Sequence, residues 1–108
     1  MCVGGGGGGL QVMVFAKSYC PYCRKTKGLL MEIQETIDVE VEFMDLDMLP
    51  ADDGPKIQQE LARLTGQRTV PNIFIAQQHV GGNSDLQQLS AIGKLDTMLL
   101  EAAGVTEL

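Results

Sequence analysis

The change of apolar spacing early in the chain constrains the fold more than any other feature. LQVMVFA, positions 10–16, is short and rich in valine and phenylalanine, the pattern of a buried strand. Beyond it Pro21 opens a stretch in which Leu29, Leu30, Ile33 and Ile37 recur at helical spacing, to about Glu35. Proline suits the first helical position, where a missing N–H is no loss. VEVEFMDLD, positions 39–47, then alternates through Val39, Val41 and Phe43 as a second strand does. Strand, helix, strand in that order predicts a parallel pair joined by a right-handed crossover.

The rest of the chain continues the alternation. Pro50 to Pro55 reads as a turn. Ile57, Leu61 and Leu64 mark a second helix that Gly66 ends as a C-cap. NIFIA, positions 72–76, is a third strand, and QQHVGG turns back into a short fourth that two glycines stop. Ser84 is the expected N-cap of a last helical region from Asp85 to Ala103, divided at Gly93. The order β-α-β-α-β-β-α predicts an α/β fold with a four-stranded mixed sheet and helices on both faces, its last two strands a hairpin. Gly28 weakens the first helix by about 1 kcal/mol relative to alanine, so its presence predicts close packing on the sheet there.

The chain has 108 residues, enough for one domain, expected over 10–108. Positions 4–9 are consecutive glycines, so 1–9 reads as a flexible tail that carries a spare thiol at Cys2. The net charge of −6 argues against nucleic acid as the main partner, since phosphate contacts need a basic face. No apolar run is long enough to span a membrane, and no secretory signal opens the chain. A monomer in the reducing cytoplasm is the expectation. Lys17, Arg24, Lys25 and Lys27 nevertheless crowd around one short segment, which suits a small anionic substrate there.

That segment is KSYCPYCRK, positions 17–25. A zinc site needs four ligands, and the chain offers one Cys-x-x-Cys, a distant Cys2 and one histidine, His79, in a predicted hairpin, so no metal site is expected. A Cys-x-x-Cys at a strand-to-helix junction reads as a dithiol redox site. Cys20 falls at the amino end of the helix, where unpaired N–H groups, the helix dipole and the nearby cations favour a thiolate. The thiolate is the attacking form and a good leaving group. Cys23, one turn further in, is expected to be more buried, to hold its proton more tightly and to act as the resolving thiol.

With these residues in view, KSYCPYC, TVPNIFI (Thr69 to Ile75) and GGNSDL (Gly81 to Leu86) together resemble a dithiol glutaredoxin from about Val12 to Leu100. The resemblance implies a thioredoxin-like fold and a glutathione-dependent disulfide oxidoreductase. It makes Cys20 the nucleophile and Cys23 its resolving partner, with glutathione as co-substrate and glutathionylated or disulfide-bonded proteins as partners. Tyr22 would flank glutathione, and Lys17, Gln58 and Arg68 would face its glycine carboxylate. Thr69, Val70 and Pro71 would form a cis-proline loop whose backbone pairs with the tripeptide. Gly82, Asn83, Ser84 and Asp85 would hold the γ-glutamyl end. Taken singly, several of these residues could equally be caps or solvated side chains.

Two rival functions follow from the same residues. One is a thioredoxin reduced by a flavoprotein, which would turn over with that reductase and not with glutathione. The other is a dimer sharing a [2Fe–2S] cluster through Cys20 and glutathione, which would show charge-transfer bands; Pro21 opposes it by stiffening the turn. The sequence departs from the family at two points. The usual helix before the first strand is replaced by the glycine tail. The usual Asn-Gly-Lys hairpin turn reads Ala76-Gln77-Gln78, which predicts a looser turn, since no glycine is present for a tight one.

Overall fold

The computed structural model describes residues 11–104. The glycine tail and Cys2 lie outside them. The elements are β1 (Val12–Ala16), α1 (Pro21–Gln34), β2 (Val41–Asp45), a 3-10 turn (Leu46–Met48), α2 (Asp53–Thr65), β3 (Asn72–Ile75), β4 (Gln78–Gly81), α3 (Asn83–Ala91) and α4 (Lys94–Ala102). The sheet order is β2-β1-β3-β4. β1 runs parallel to β2, and β3 is antiparallel to both β1 and β4. This is the expected mixed sheet and element order, with the last helical region in two pieces.

Alternation along the central strands builds the core. Val12, Val14 and Ala16 are buried on one face of β1, and the register sets Val12 against Ile75 and Val14 against Ile73. Leu30 of α1, Leu86 of α3, and Leu95 and Leu99 of α4 join that face as a single apolar cluster. Each such side chain taken fully out of water contributes about 1.5–3 kcal/mol. The opposite face is half-buried, and there Phe15 and Phe74 meet edge to face at 5.9 Å. Among the described residues no helix is long and apolar enough to cross a membrane.

Glycine sets two of the helix boundaries. Gly66 caps α2 at φ 79°, and Gly93 parts α3 from α4 at φ 80°, both in the region that glycine enters without cost.

Several local expectations are corrected. Gly28 is exposed, and a Cβ on it would meet nothing within 4 Å, so it marks no close approach to the sheet. The close approach is at Gly54 instead, where a Cβ would collide with the carbonyl oxygen of Leu46. Helix α2 starts at Asp53, inside the predicted turn, because proline at position 55 is tolerated in a first helical turn. Leu64 is 64% exposed, and Leu61 alone of the predicted α2 stripe is fully buried. The hairpin turn is tight rather than loose: Ile75 pairs with Gln78, and both intervening residues, Ala76 and Gln77, take positive φ of 52° and 68°. Sheet pairing imposes the left-handed turn on residues that do not favour it.

Candidate active site

The loop after β1 and the first turn of α1 present the two cysteines. Cys20 is the N-cap of α1, and Pro21 follows at the start of the helix. An N-cap side chain normally offers oxygen to the orphan amides of the first turn. Here sulfur does so: the backbone N–H of Cys23 donates to Cys20 Sγ at 3.3 Å. Cys20 is partly exposed and Cys23 is 5% exposed, both as free thiols. Burial, reinforced by the Cys20 side chain beside it, pushes the Cys23 thiol up to about 12. One sulfur is thus reachable and hydrogen-bonded as an acceptor, while its neighbour retains its proton, as the spacing predicted.

A second contact fixes the loop that carries Cys20. Asp47, in the 3-10 turn after β2, accepts from the backbone N–H of Ser18 at 2.8 Å and from its hydroxyl. These hydrogen bonds hold the Asp47 carboxyl below its usual range. The sequence alone does not reveal this pair, because nothing local signals a contact across 29 positions.

Beside the cysteines lies a cavity of about 500 Å³ lined by Tyr22, Gln67, Thr69, Pro71, Gly82, Asn83, Ser84 and Asp85. Seven of the predicted binding residues are therefore gathered around one space, together with Gln67, which no sequence motif singles out. The Val70–Pro71 peptide is cis, and the Val70 carbonyl lies 3.9 Å from Cys20 Sγ. Lys17, Gln58, Arg68 and Val70 do not line this cavity. Lys17 lines a smaller one, about 200 Å³, on which Cys23, Arg24, Lys27 and Asp45 also open. Gln58 donates from Nε2 to the Arg68 carbonyl at 2.8 Å, bracing the loop that leads to Thr69.

The far wall of the large cavity is the start of α3. Its N-cap is Gly82, not Ser84, which is the second helical residue. The Gly82 N–H donates to Asp85 Oδ2 at 2.9 Å, so the cap is made by a carboxylate reaching back, as in half of a capping box. That return requires glycine at position 81: a Cβ there would collide with Asp85 Oδ2, and its φ is 128°. Thr26, fully buried on α1, donates to Asn83 Oδ1 at 2.9 Å and so ties the cysteine helix to this wall. His79 is exposed and hydrogen-bonds Gln67 at 3.1 Å. Among the described residues no group of three or more His, Cys, Asp or Glu is placed to hold a metal.

This geometry has close counterparts. The sequence model of the glutaredoxin family matches residues 12–80. Glutaredoxin-C2 of Arabidopsis thaliana is 42% identical over 95 residues, covering 88% of this chain and 80% of that protein. The crystal structure of the holo form of glutaredoxin C1 from Populus tremula x tremuloides matches with a TM-score of 0.79 at 35% identity, covering 87% of each chain. The crystal structure of a buckwheat glutaredoxin–glutathione complex matches with a TM-score of 0.79 at 36% identity, covering 89% of this chain and 82% of that one. A free thiol at a helix N-cap, a buried partner thiol one turn on and this degree of likeness over most of the sequence lead to one assignment: the chain belongs to the glutaredoxin family.

Proposed function

We propose that the chain is a glutathione-dependent thiol–disulfide oxidoreductase that reduces protein–glutathione mixed disulfides through Cys20 and protein disulfides through Cys20 and Cys23. The observation that carries the reading is the asymmetry of the two sulfurs beside the cavity. Cys20 is accessible and accepts a hydrogen bond, whereas Cys23 is buried and keeps its proton. A nucleophile and a reserve thiol are the two parts that such chemistry requires.

In the monothiol route the Cys20 thiolate attacks the glutathione sulfur of a mixed disulfide. The S–S bond breaks, the protein leaves as a thiolate and takes up a proton, and glutathione remains bonded to Cys20. A second glutathione thiolate attacks that sulfur, forming glutathione disulfide and restoring the Cys20 thiolate. In the dithiol route Cys20 attacks a protein disulfide; Cys23 then gives up its proton, attacks Cys20 Sγ and releases the second protein thiol. Two glutathiones reduce the resulting Cys20–Cys23 disulfide.

The cavity suits glutathione as its occupant. Amide groups at the start of α3 favour a carboxylate. Asp85, with Oδ2 engaged by Gly82, has Oδ1 left for an ammonium group. The Val70 carbonyl, 3.9 Å from Cys20 Sγ, supports an extended peptide lying along this segment. Lys17 on the far side of the cysteines would draw the glycine carboxylate. The test is glutathione-dependent reduction of a glutathionylated peptide by Cys23→Ser and Cys20→Ser variants. Activity is expected to persist in Cys23→Ser and vanish in Cys20→Ser. Loss in both, with turnover by a thioredoxin reductase, would replace this reading with a thioredoxin-like one.

A further inference from the structure

Gln67 ties three segments of the cavity together. Its backbone N–H donates to Thr65 Oγ1 at 3.0 Å, which pins the residue to the end of α2. Its side-chain Nε2 donates to the carbonyls of Thr69, at 3.0 Å, and Pro71, at 2.9 Å. Its Oε1 accepts from His79 Nε2 at 3.1 Å, and the His79 ring leans on Phe74 with centroids 5.3 Å apart. A Cβ on Gly82 would lie 3.9 Å from the same Nε2, so the carboxamide also abuts the start of α3. Both N–H bonds and the oxygen of the amide are engaged, which fixes its orientation: a flipped amide would oppose oxygen to two carbonyls and nitrogen to a donor.

The carbonyls that Gln67 holds belong to the residues on either side of Val70. The Thr69 and Pro71 carbonyls meet Gln67, whereas the Val70 carbonyl between them lies 3.9 Å from Cys20 Sγ. We infer that Gln67, backed by His79, is a positioning residue for substrate: its carboxamide holds the Thr69–Pro71 segment so that the Val70 backbone stays free to pair with the tripeptide bonded to Cys20. The inference rests on the reading of the cavity as a glutathione site. It assigns Gln67 no part in breaking or making a sulfur bond. Its loss should therefore weaken binding and leave the chemical step in place.

The experiment compares wild type with Gln67→Ala, Gln67→Glu, His79→Ala and His79→Gln in the glutathione-dependent reduction of a glutathionylated peptide. Gln67→Ala is expected to raise KM for the peptide about tenfold with kcat within about twofold, the signature of lost ground-state positioning. Gln67→Glu is expected to be worse than Gln67→Ala, since a carboxylate offers two carbonyls no donor. His79→Ala should raise KM less, and His79→Gln, which keeps an N–H toward Gln67, should restore most of the loss. Amide hydrogen exchange supplies a readout apart from turnover: the Val70 amide should exchange faster in Gln67→Ala while the amides of Val14 and Ile73 keep their protection.

An unchanged KM in Gln67→Ala, an equal fall in kcat, or unchanged exchange at Val70 would overturn the inference. If Gln67→Ala does not fold, the contrast between His79→Ala and His79→Gln decides, and equal KM values for those two overturn it. Wild type that turns over no glutathionylated substrate removes the glutathione reading itself, and with it the role inferred for Gln67, even where exchange at Val70 still reports the strut.

Discussion

The amide of Cys23 donates to the sulfur of Cys20 at 3.3 Å, so Cys20 caps the helical turn that carries Cys23. The two sulfurs share one helical turn and differ in access. Iodoacetamide at pH 7 is therefore expected to label Cys20 and spare Cys23, read peptide by peptide by mass spectrometry, with Cys23 labelled only after denaturation. Equal labelling of both in the native protein would refute the assignment of roles. A stability effect follows with a definite sign. Burial pushes the Cys23 thiol from its ordinary value of 9.0 up to about 12. The native state keeps a proton that the unfolded chain releases, so the contribution is intact below pH 9.0 and is lost as pH rises toward 12.

Ser18 and Asp47 give the opposite pH dependence. The Ser18 hydroxyl and amide both donate to the Asp47 carboxylate and lower its proton affinity from the ordinary value of 3.8. A depressed carboxyl stabilises the fold above its unfolded value, and that stabilisation is lost as pH falls through the native value. Asp47→Asn should therefore lower the thermal midpoint at pH 7, and the difference from wild type should shrink below pH 3.8. A difference of constant size from pH 7 down to pH 2 would show that the substitution acts through packing instead. Because Ser18 lies two residues before Cys20, the variant is also expected to slow alkylation of Cys20 at pH 7.

The fold was legible where a pattern is local. The strand at Val12–Ala16, the helix opened by Pro21, the cap at Gly66 and the break at Gly93 each follow from spacing or from a residue with one dominant conformational use. The difference in exposure between Cys20 and Cys23 was legible for the same reason, since helix position alone separates them. The contacts that shape the site were not. Gln67 reaches His79, 12 positions on, and Thr26 reaches Asn83, 57 positions on, across gaps that only the assembled fold closes. Ser84 was a reasonable cap by type, yet Asp85 competes from the third helical position and moves the cap to Gly82. Lys17, Gln58 and Arg68 fall outside the large cavity. Lys17 instead lines the smaller cavity and Gln58 is held by the Arg68 carbonyl, placements that no local spacing signals.

The β3–β4 turn is a site of removable strain. Ala76 and Gln77 both sit at positive φ, where a side chain costs roughly 1–2 kcal/mol per residue. Gln77→Gly should stabilise the protein by about 1 kcal/mol, and Ala76→Asn by somewhat less, since asparagine tolerates this region better than alanine. Both positions are exposed and line none of the cavities described above, so turnover should be unaffected. Denaturant melts of the two single variants check the gain. A loss of stability in Gln77→Gly would mean that the turn is not held as described.

The two helical glycines should respond to alanine with opposite signs, which tests the packing on which the site rests. Gly28 is exposed inside α1, and a Cβ there meets nothing within 4 Å. Gly28→Ala should therefore recover the intrinsic helix preference, about 1 kcal/mol. For a domain of this size that gain raises the thermal midpoint by about 4–8 °C. Gly54 lies in the first turn of α2 against the 3-10 turn that carries Asp47, and a Cβ there would collide with the Leu46 carbonyl oxygen. That neighbour is backbone and cannot step aside without moving the segment. Gly54→Ala should cost about 1–3 kcal/mol, as overpacking does elsewhere. It should also displace Asp47 from Ser18, so the pH dependence of stability assigned to that pair should weaken in Gly54→Ala and remain intact in Gly28→Ala. Calorimetry of both variants at pH 7 and pH 3 separates the effects. Equal and small shifts for the two would show that α2 does not press on the 3-10 turn.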